Sequence, residues 1–475
     1  MKQVIALLLF CWIGGMCVGQ VAKPHLLVAL IAVALVFILV IYRWHVPVIL
    51  AGVALLLLGS IYGGEAPLKL RSLCPTNGDV EGVITAVENR EESAAQYRVK
   101  VEDCVVLLTT ARFPEYHTGN QVRIVGTLQP VEDIPEPYTS YAQYLSRQGI
   151  AATARYVEVE RISNNVSLLE SIKVRMQRQI GTVLYEPEAG VVQAMLLGER
   201  GGISDALTEQ FRRSGISHII AISGLHISLI AAMLLLVSLR LPLSRPLRFL
   251  GILVVLWIYV VLVGAPPSAV RAGMFWSVTL IALTSHSLVS LPTVLLVSLA
   301  GIVTVHPVIV QEAGFQLSVA AVMGIGVALM LVRSWYDKIA HANTLYASVI
   351  SVLIVSVGAQ LTTWPLVSYY FEQVPIFGLI ANVLTVPLVP IFLAVGIVTL
   401  LISFIFLPIG YVGSGILHGM WLWVDLVSGT VAHLPFSVIS LRLSWQMVVI
   451  YYLLLISSII CIMRWRGRSL REVWQ

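Results

Sequence analysis

"GISHIIAISGLHISLIAAMLLLVSL", residues 215–239, is the stretch on which the fold turns. Its length and apolarity predict a helix that crosses a bilayer. Ser223, Gly224 and His226 fall together in its first half, and a lipid-facing helix needs none of them. Ionisable groups at membrane depth are costly and face a bundle interior or a pathway. These residues therefore either let one helix pack closely on another or line something polar.

The surrounding chain has the composition of a multi-pass membrane protein. Of 475 residues 58% are apolar and 12% charged, against about 25% charged in soluble domains. Runs such as "LLVALIAVALVFILVIY" from Leu26 and "VILAGVALLLLGSIY" from Val48 are uninterrupted. The opening "MKQVIALLLFCWIGGMCVG" imitates a secretory signal. Further spans follow at once without an A-x-A site, so a retained first helix is expected. Later spans are expected from Ile216, Leu247, Ala269, Leu288, Gly314, Leu345, Ile376, Gly410 and Met447. The segment from Ile376 to Leu407 is too long for one simple helix, and Asn382, Pro387 and Pro390 predict a broken or re-entrant path.

Charge orients these spans. Between Gly63 and Arg161 lie 14 acidic and 10 basic residues, the one long polar stretch. Basic residues gather in short connections at Arg240 and Arg333 and in the C-terminal "RWRGRSLR", which marks the cytoplasmic side. The expected topology has both termini cytoplasmic, three spans, the polar stretch outside, then about nine more spans across the cytoplasmic membrane. Cys74 and Cys104 are the two cysteines of the outside stretch, where they can oxidise.

Inside the polar stretch the pattern becomes period two. "DVEGVITAVE", "QYRVKVEDCVVLLTT", "QVRIVGTLQ" and "ATARYVEVERI" read as half-buried strands. A helix-like "YTSYAQYLSRQG" precedes the last of them, which suggests a small β-barrel such as an OB-fold. Tyr97, Arg98, Lys100, Arg112, Tyr116 and Arg123 are its candidate contacts to single-stranded DNA. The domain's slight acidity argues equally for a spacer or assembly role. "LLESIKVRMQRQIGTVL" and "EAGVVQAMLLGERGGISDALTEQF", from Leu168 and Glu188, are amphipathic and too short to span. They suit helices on the membrane surface or against the spans.

The fold expected is thus a mainly α polytopic membrane protein of about 11–12 helices with a small extracytoplasmic, OB-like β domain after the third. Its parts are three N-terminal spans over 1–62, the β domain over 63–165 and amphipathic membrane-surface helices over 166–213. A channel domain over 214–463 and a basic cytoplasmic tail over 464–475 complete it.

Polar residues recur in the later spans, in "GAPPSAVRAGMF" (264–275), "VHPVIVQEAGFQLSVAAVMG" (305–324), "GAQLTTWPL" (358–366) and "IANVLTVPLVP" (380–390). Singly, small and hydroxylated residues serve helix packing, and Arg271 near a span end can snorkel. His306 and Glu312 suit a solvated loop, and His418 and His433 lie near span ends. Together Ser223, Gly224, His226, Ser268, Arg271, Gln316, Ser318, Gln360 and Asn382 place polar groups on five helices at comparable depth, which predicts a lined passage. Asp425 is the one clear carboxylate within a span.

"LLGERGGISDALTEQFRRSGISHIIAISGLHISL" from Leu196 resembles the signature of the ComEC-type competence proteins. The likeness continues in order through "GAPPSAVRAG", "HPVIVQEAGFQLSVAAVMGIG" and "QLTTWPL...IANVLTVPLVP", and upstream in "PYTSYAQYLSRQGIAATARY". The resemblance implies a channel that carries single-stranded DNA across the cytoplasmic membrane during natural transformation. It also implies an extracytoplasmic OB-like domain with a Cys74–Cys104 disulfide. Many members continue into a metallo-β-lactamase-like domain, and this sequence has the pattern of a short form without it. No HxHxDH-like cluster and no GxxxxGK[ST] loop occurs, so no nuclease, ATPase, cofactor or metal is expected in the chain. The partners expected are single-stranded DNA, the lipid bilayer, a separate DNA receptor, a separate nuclease, and a cytoplasmic ATPase or single-strand-binding protein. A homo-oligomer is compatible with this reading.

Two other functions fit parts of the pattern. One is a small-molecule transporter, because such proteins use broken helices at mid-membrane. The other is an intramembrane serine hydrolase with Ser223 as nucleophile and His226 as base, three residues apart on one helix face.

Overall fold

The computed structural model describes residue 74 and residues 79–465, apart from 91–93, 103, 112, 136–140, 143–144, 147, 156, 164, 285–290 and 343. The three N-terminal spans, Arg112, the expected span start at Leu288 and the tail over 466–475 lie outside the described residues. The chain divides into two compact units, Met1–Met176 with Leu295–Glu312, and Gln177–Val294 with Ala313–Gln475.

The first unit holds a seven-stranded sheet. Its strands are β1 (Val80–Arg90), β2 (Ala94–Val101), β3 (Cys104–Ala111), β4 (Gln121–Val125), β5 (Gln129–Pro130), β6 (Ala152–Arg155) and β7 (Glu158–Ser163). The spatial order is β5-β6-β3-β2-β1-β4-β7. β1, β2 and β3 form an antiparallel meander, and β6 joins β3 in parallel. The order has two ends, so closure into a barrel is not among the described pairings. Alternation along β2 turns Ala95, Tyr97, Val99 and Val101 inward, onto Ile84, Val106, Leu108, Val122 and Ile124. On the opposite face Leu107 packs with Val131, Leu145 and Ile150.

Cys74 and Cys104 form a disulfide, with Cα atoms 5.6 Å apart and a sequence separation of 30. It ties the chain before β1 to the start of β3. Replacing Cys74 by serine is expected to lower the stability of this unit by about 3–4 kcal/mol, the loop-closure entropy of a segment that long. Thermal unfolding and trypsin resistance under non-reducing conditions check it.

Helices make up most of the remaining described residues, with a short antiparallel pair of strands at Gln373–Pro375 and Val438–Ser440. The helices are α1 (Leu168–Val183), α2 (Glu188–Leu197), α3 (Asp205–Ser214), α4 (Gly224–Ser238), α5 (Arg245–Leu262), α6 (Pro267–Thr284) and α7 (Leu291–Val305), followed by α8 (Ala313–Ala342) and α9 (Thr344–Phe371). Then come α10 (Gly378–Thr385), α11 (Val389–Ser403), α12 (Leu407–His433) and α13 (Trp445–Trp465). Five helical stretches among the described residues are long and apolar enough to cross a membrane: Arg245–Leu262, Ala313–Val332, Ile350–Phe371, Gly378–Ser403 and Trp445–Met463. With the composition, they make this a multi-pass membrane protein. The stretch at Gly378–Ser403 is broken: α10 stops at Thr385, a 3₁₀ turn covers Val386–Leu388, and α11 resumes with Pro390 in its first turn.

Of the two placements expected for this segment, on the membrane surface or against the spans, α2 fits the second. Its sequence EAGVVQAMLL is buried almost throughout, because a helix apolar on every side belongs inside. Apart from Glu188, itself buried in the first turn of α2, the charges that made the segment look amphipathic belong to the following turn and to α3. There Ser204 caps the first turn by accepting the Leu207 N–H at 3.3 Å, and Arg212 and Arg213 sit at the negative end. The polar face of α3 is fastened to α12: Gln210 Nε2 donates to Asp425 Oδ1 and to Ser428 Oγ, each at 2.8 Å. Phe211, fully buried, lies 6.2 Å from the Trp421 ring. Asp425 is thus spent on holding a helix in place.

Candidate functional site

The stretch 215–239 is not one helix. Gly215 ends α3 at φ 79°, and a Cβ there would meet Gly378 Cα at 2.9 Å, so only glycine suits both the conformation and the contact. A 3₁₀ turn follows at Ser217–Ile219, the backbone is extended at Ser223 (φ −118°, ψ 172°), and α4 begins at Gly224. Ser223 is therefore the N-cap and His226 the third helical residue. His226 Nδ1 accepts the Ser223 backbone N–H at 3.3 Å and lies 2.9 Å from Ser223 Oγ. This is a capping box with histidine where glutamate or glutamine is usual. A ring nitrogen that accepts a backbone N–H carries no proton, so the neutral ring bears its proton on Nε2, a tautomer assigned from that bond. His226 is 1% exposed, and its Nε2 is buried with no hydrogen-bond partner.

From this cap a run of polar contacts crosses four helices. Ser268 Oγ, in the first turn of α6, donates to the carbonyl of Ile222. A Cβ on Gly224 would sit 3.8 Å from Ala272 Cβ, an ordinary van der Waals contact, so the packing of α4 on α6 does not itself require glycine there. Trp276 Nε1 donates to Ser228 Oγ at 3.0 Å and keeps α4 and α6 in register. Arg271, buried on the same helix, donates from Nη2 to the Gly314 carbonyl at the start of α8, at 2.9 Å. Its guanidinium lies 5.7 Å from the Phe315 ring centroid, a cation–π distance. One residue further, Gln316 Oε1 accepts the Tyr370 hydroxyl of α9 at 2.9 Å.

The expected lining residues thus fall into two groups. Ser223, Gly224, His226, Ser268, Arg271 and Gln316 are joined directly or through a neighbouring residue. Gln360 and Asn382 stand on α9 and α10, which pack together near Gly378, where Gln360 Nε2 lies 3.8 Å from the position a Cβ would take. Asn382 is buried and its Oδ1 has no hydrogen-bond partner. Ser318 is half-buried on α8. Tyr370 did not stand out in the sequence, because a tyrosine beside another in an apolar helix carries no mark of its partner. Nor did the pairing of buried Glu188 with His418 Nδ1, residues 230 apart.

The sheet residues separate as well. Tyr97 and Tyr116 are in the core, edge to face with centroids 5.7 Å apart, and burial pushes the Tyr116 phenol up. This corrects the expectation that their rings meet DNA, since neither face is open to a base. Lys100 is exposed on the other side of β2, and Arg98 is bonded to Gln148 Oε1. Arg123 pairs with Glu81 at 2.7 Å and with Glu160 at 3.7 Å, which neutralises it.

The profile of the Competence protein family matches residues 195–465, more than half of the chain. ComE operon protein 3 of Bacillus subtilis (strain 168) is 27% identical over 315 residues, covering 66% of this chain and 39% of that protein. Uncharacterized protein YcaI of Escherichia coli (strain K12) is 26% identical over 262 residues, covering 52% of this chain and 33% of that protein. The matched part is therefore between a third and two fifths of the length of these relatives. No solved structure matches the chain.

Proposed function

The chain belongs to the Competence protein family, and from that premise we propose that it passes single-stranded DNA across the cytoplasmic membrane during natural transformation. The observation that carries the reading is the set of polar contacts at His226, Arg271, Gln316 and Tyr370, spread over four mainly apolar helices. A moving polyanion needs hydrogen-bond donors, some positive charge and few fixed anions, each held weakly enough for release. No Asp or Glu occurs between Gln210 and Gln311, and Asp425 is engaged by Gln210. In this reading Arg271 and His226 offer donors to phosphate or base edges, and Gln316, Ser318, Gln360 and Asn382 continue the lining. The disulfide-bonded sheet, OB-like in its parallel β3–β6 pairing, lies outside the cell with both termini inside. Arg98, Lys100 and Arg112 are its remaining candidate contacts to the strand. A separate receptor, a nuclease and a cytoplasmic ATPase or single-strand-binding protein supply capture, strand degradation and pulling.

The hydrolase reading loses its support from the same geometry. Ser223 and His226 are close because they cap a helix, and Nδ1 is shared with a backbone N–H. A catalytic pair also needs a group that orients the far ring nitrogen, and His226 Nε2 has no partner. Reconstituted vesicles separate the remaining possibilities: labelled single-stranded DNA enters only with the protein present, whereas flux of small solutes without DNA entry would establish a transporter. In cells, deletion of the gene is expected to abolish transformation, and a parental frequency in the deletion strain would end the proposal.

A further inference from the structure

The turn between α4 and α5, "LRLPLSRPLRFL" over residues 239–250, has a surface that water alone does not favour. Leu239, Leu241, Leu243, Leu247 and Leu250 are exposed over 37–58% of their area, and Arg240 and Arg245 stand exposed among them. Arg248 braces the turn, donating from Nη2 to the Leu243 carbonyl at 3.3 Å. Its Nε is buried with no hydrogen-bond partner. The positive end of α5, which starts at Arg245 after Ser244, adds to these charges. Nothing acidic lies nearby in the chain, and three carboxylates of the same unit are paired elsewhere: Glu188 with His418, Glu209 with Arg212, Glu372 with Arg442.

We propose that this turn binds the headgroups of anionic phospholipids. Leucines alternate with arginines at the end of a helix long and apolar enough to span, which sets the turn at headgroup depth. There the leucines enter the acyl boundary while the guanidinium groups meet phosphate, for which their planar fork is suited. A protein partner would have to cover the leucines and supply anions at once; an acidic lipid does both. The inference does not rest on DNA transport.

The test uses the full chain in nanodiscs of mixed phosphatidylcholine and phosphatidylglycerol, with retained lipid read by native mass spectrometry. Phosphatidylglycerol is expected to be enriched. Arg240→Gln and Arg245→Gln each lower its affinity about fivefold, the effect of one basic side chain at an anionic surface. The corresponding double lysine variant keeps the enrichment, which separates charge from folding. Equal enrichment in the wild type and the double glutamine variant overturns the proposal. Displacement of the lipid by millimolar inorganic phosphate overturns it in favour of a free-anion site, and displacement by a single-stranded oligonucleotide in favour of a nucleic-acid surface.

Discussion

Replacing His226 by leucine abolishes DNA internalisation while membrane insertion and DNA binding at the cell surface stay normal. Two hydrogen-bonding functions are lost at once: the acceptor that caps α4 through the Ser223 N–H, and the buried Nε2–H donor. His226→Asn takes them apart. The asparagine oxygen sits near where Nδ1 was and keeps the cap, yet nothing replaces Nε2. If the donor serves the strand, transformation still falls about tenfold or more, the equivalent of one good hydrogen bond, with unchanged thermal stability. If only the cap matters, His226→Asn transforms at the parental rate and the lining role of His226 is refuted. Ser223→Ala tests the cap from the other side, with an expected loss of about 1 kcal/mol and no change in any proteolytic activity.

The second large effect is expected at Gly324, where α8 and α9 touch backbone to backbone. A Cβ on Gly324 would lie 2.2 Å from the Gly358 carbonyl oxygen and 2.3 Å from Thr362 Oγ1. Both helices are long, 30 and 28 residues, so a wedge at this crossing separates them over several turns. Gly324→Val should cost about 3 kcal/mol, the upper end for overpacking a close contact, and part Gln316 from Tyr370. Gly326 is the control on the same helix, since nothing lies within 4 Å of its would-be Cβ, and Gly326→Ala should be silent. Thermal unfolding in detergent and the yield of a disulfide engineered across α8 and α9 report the loss. Equal behaviour of the two variants would refute the close-packing account.

Several features of the site were legible before the structure, and the reasons differ. The capping box at Ser223 was not among them, because S-x-x-H lacks the glutamate or glutamine of the usual helix start and the unbroken apolarity of residues 215–239 reads as one continuous span. In β2 the period-two alternation that predicts the strand already puts Tyr97 on the face opposite Arg98 and Lys100. A single surface using all three was therefore excluded by the strand itself. The partners of Gln210 and Gln316 were not legible, because a glutamine in an apolar helix bonds whatever the fold brings near, here Asp425 and Tyr370.

The residue string alone determined that the protein crosses a membrane several times, that it carries one β-patterned unit with two cysteines, and that five later segments hold polar groups with hardly a carboxylate among them. These follow from composition and period, which act within a few residues. Only the folded arrangement decided that Ser223 starts a helix, that α2 is buried, that the two tyrosines belong to the sheet core, and that Arg271 reaches Gly314. A hydrogen bond is set by which groups meet in space, and in a bundle those groups come from helices dozens to hundreds of residues apart.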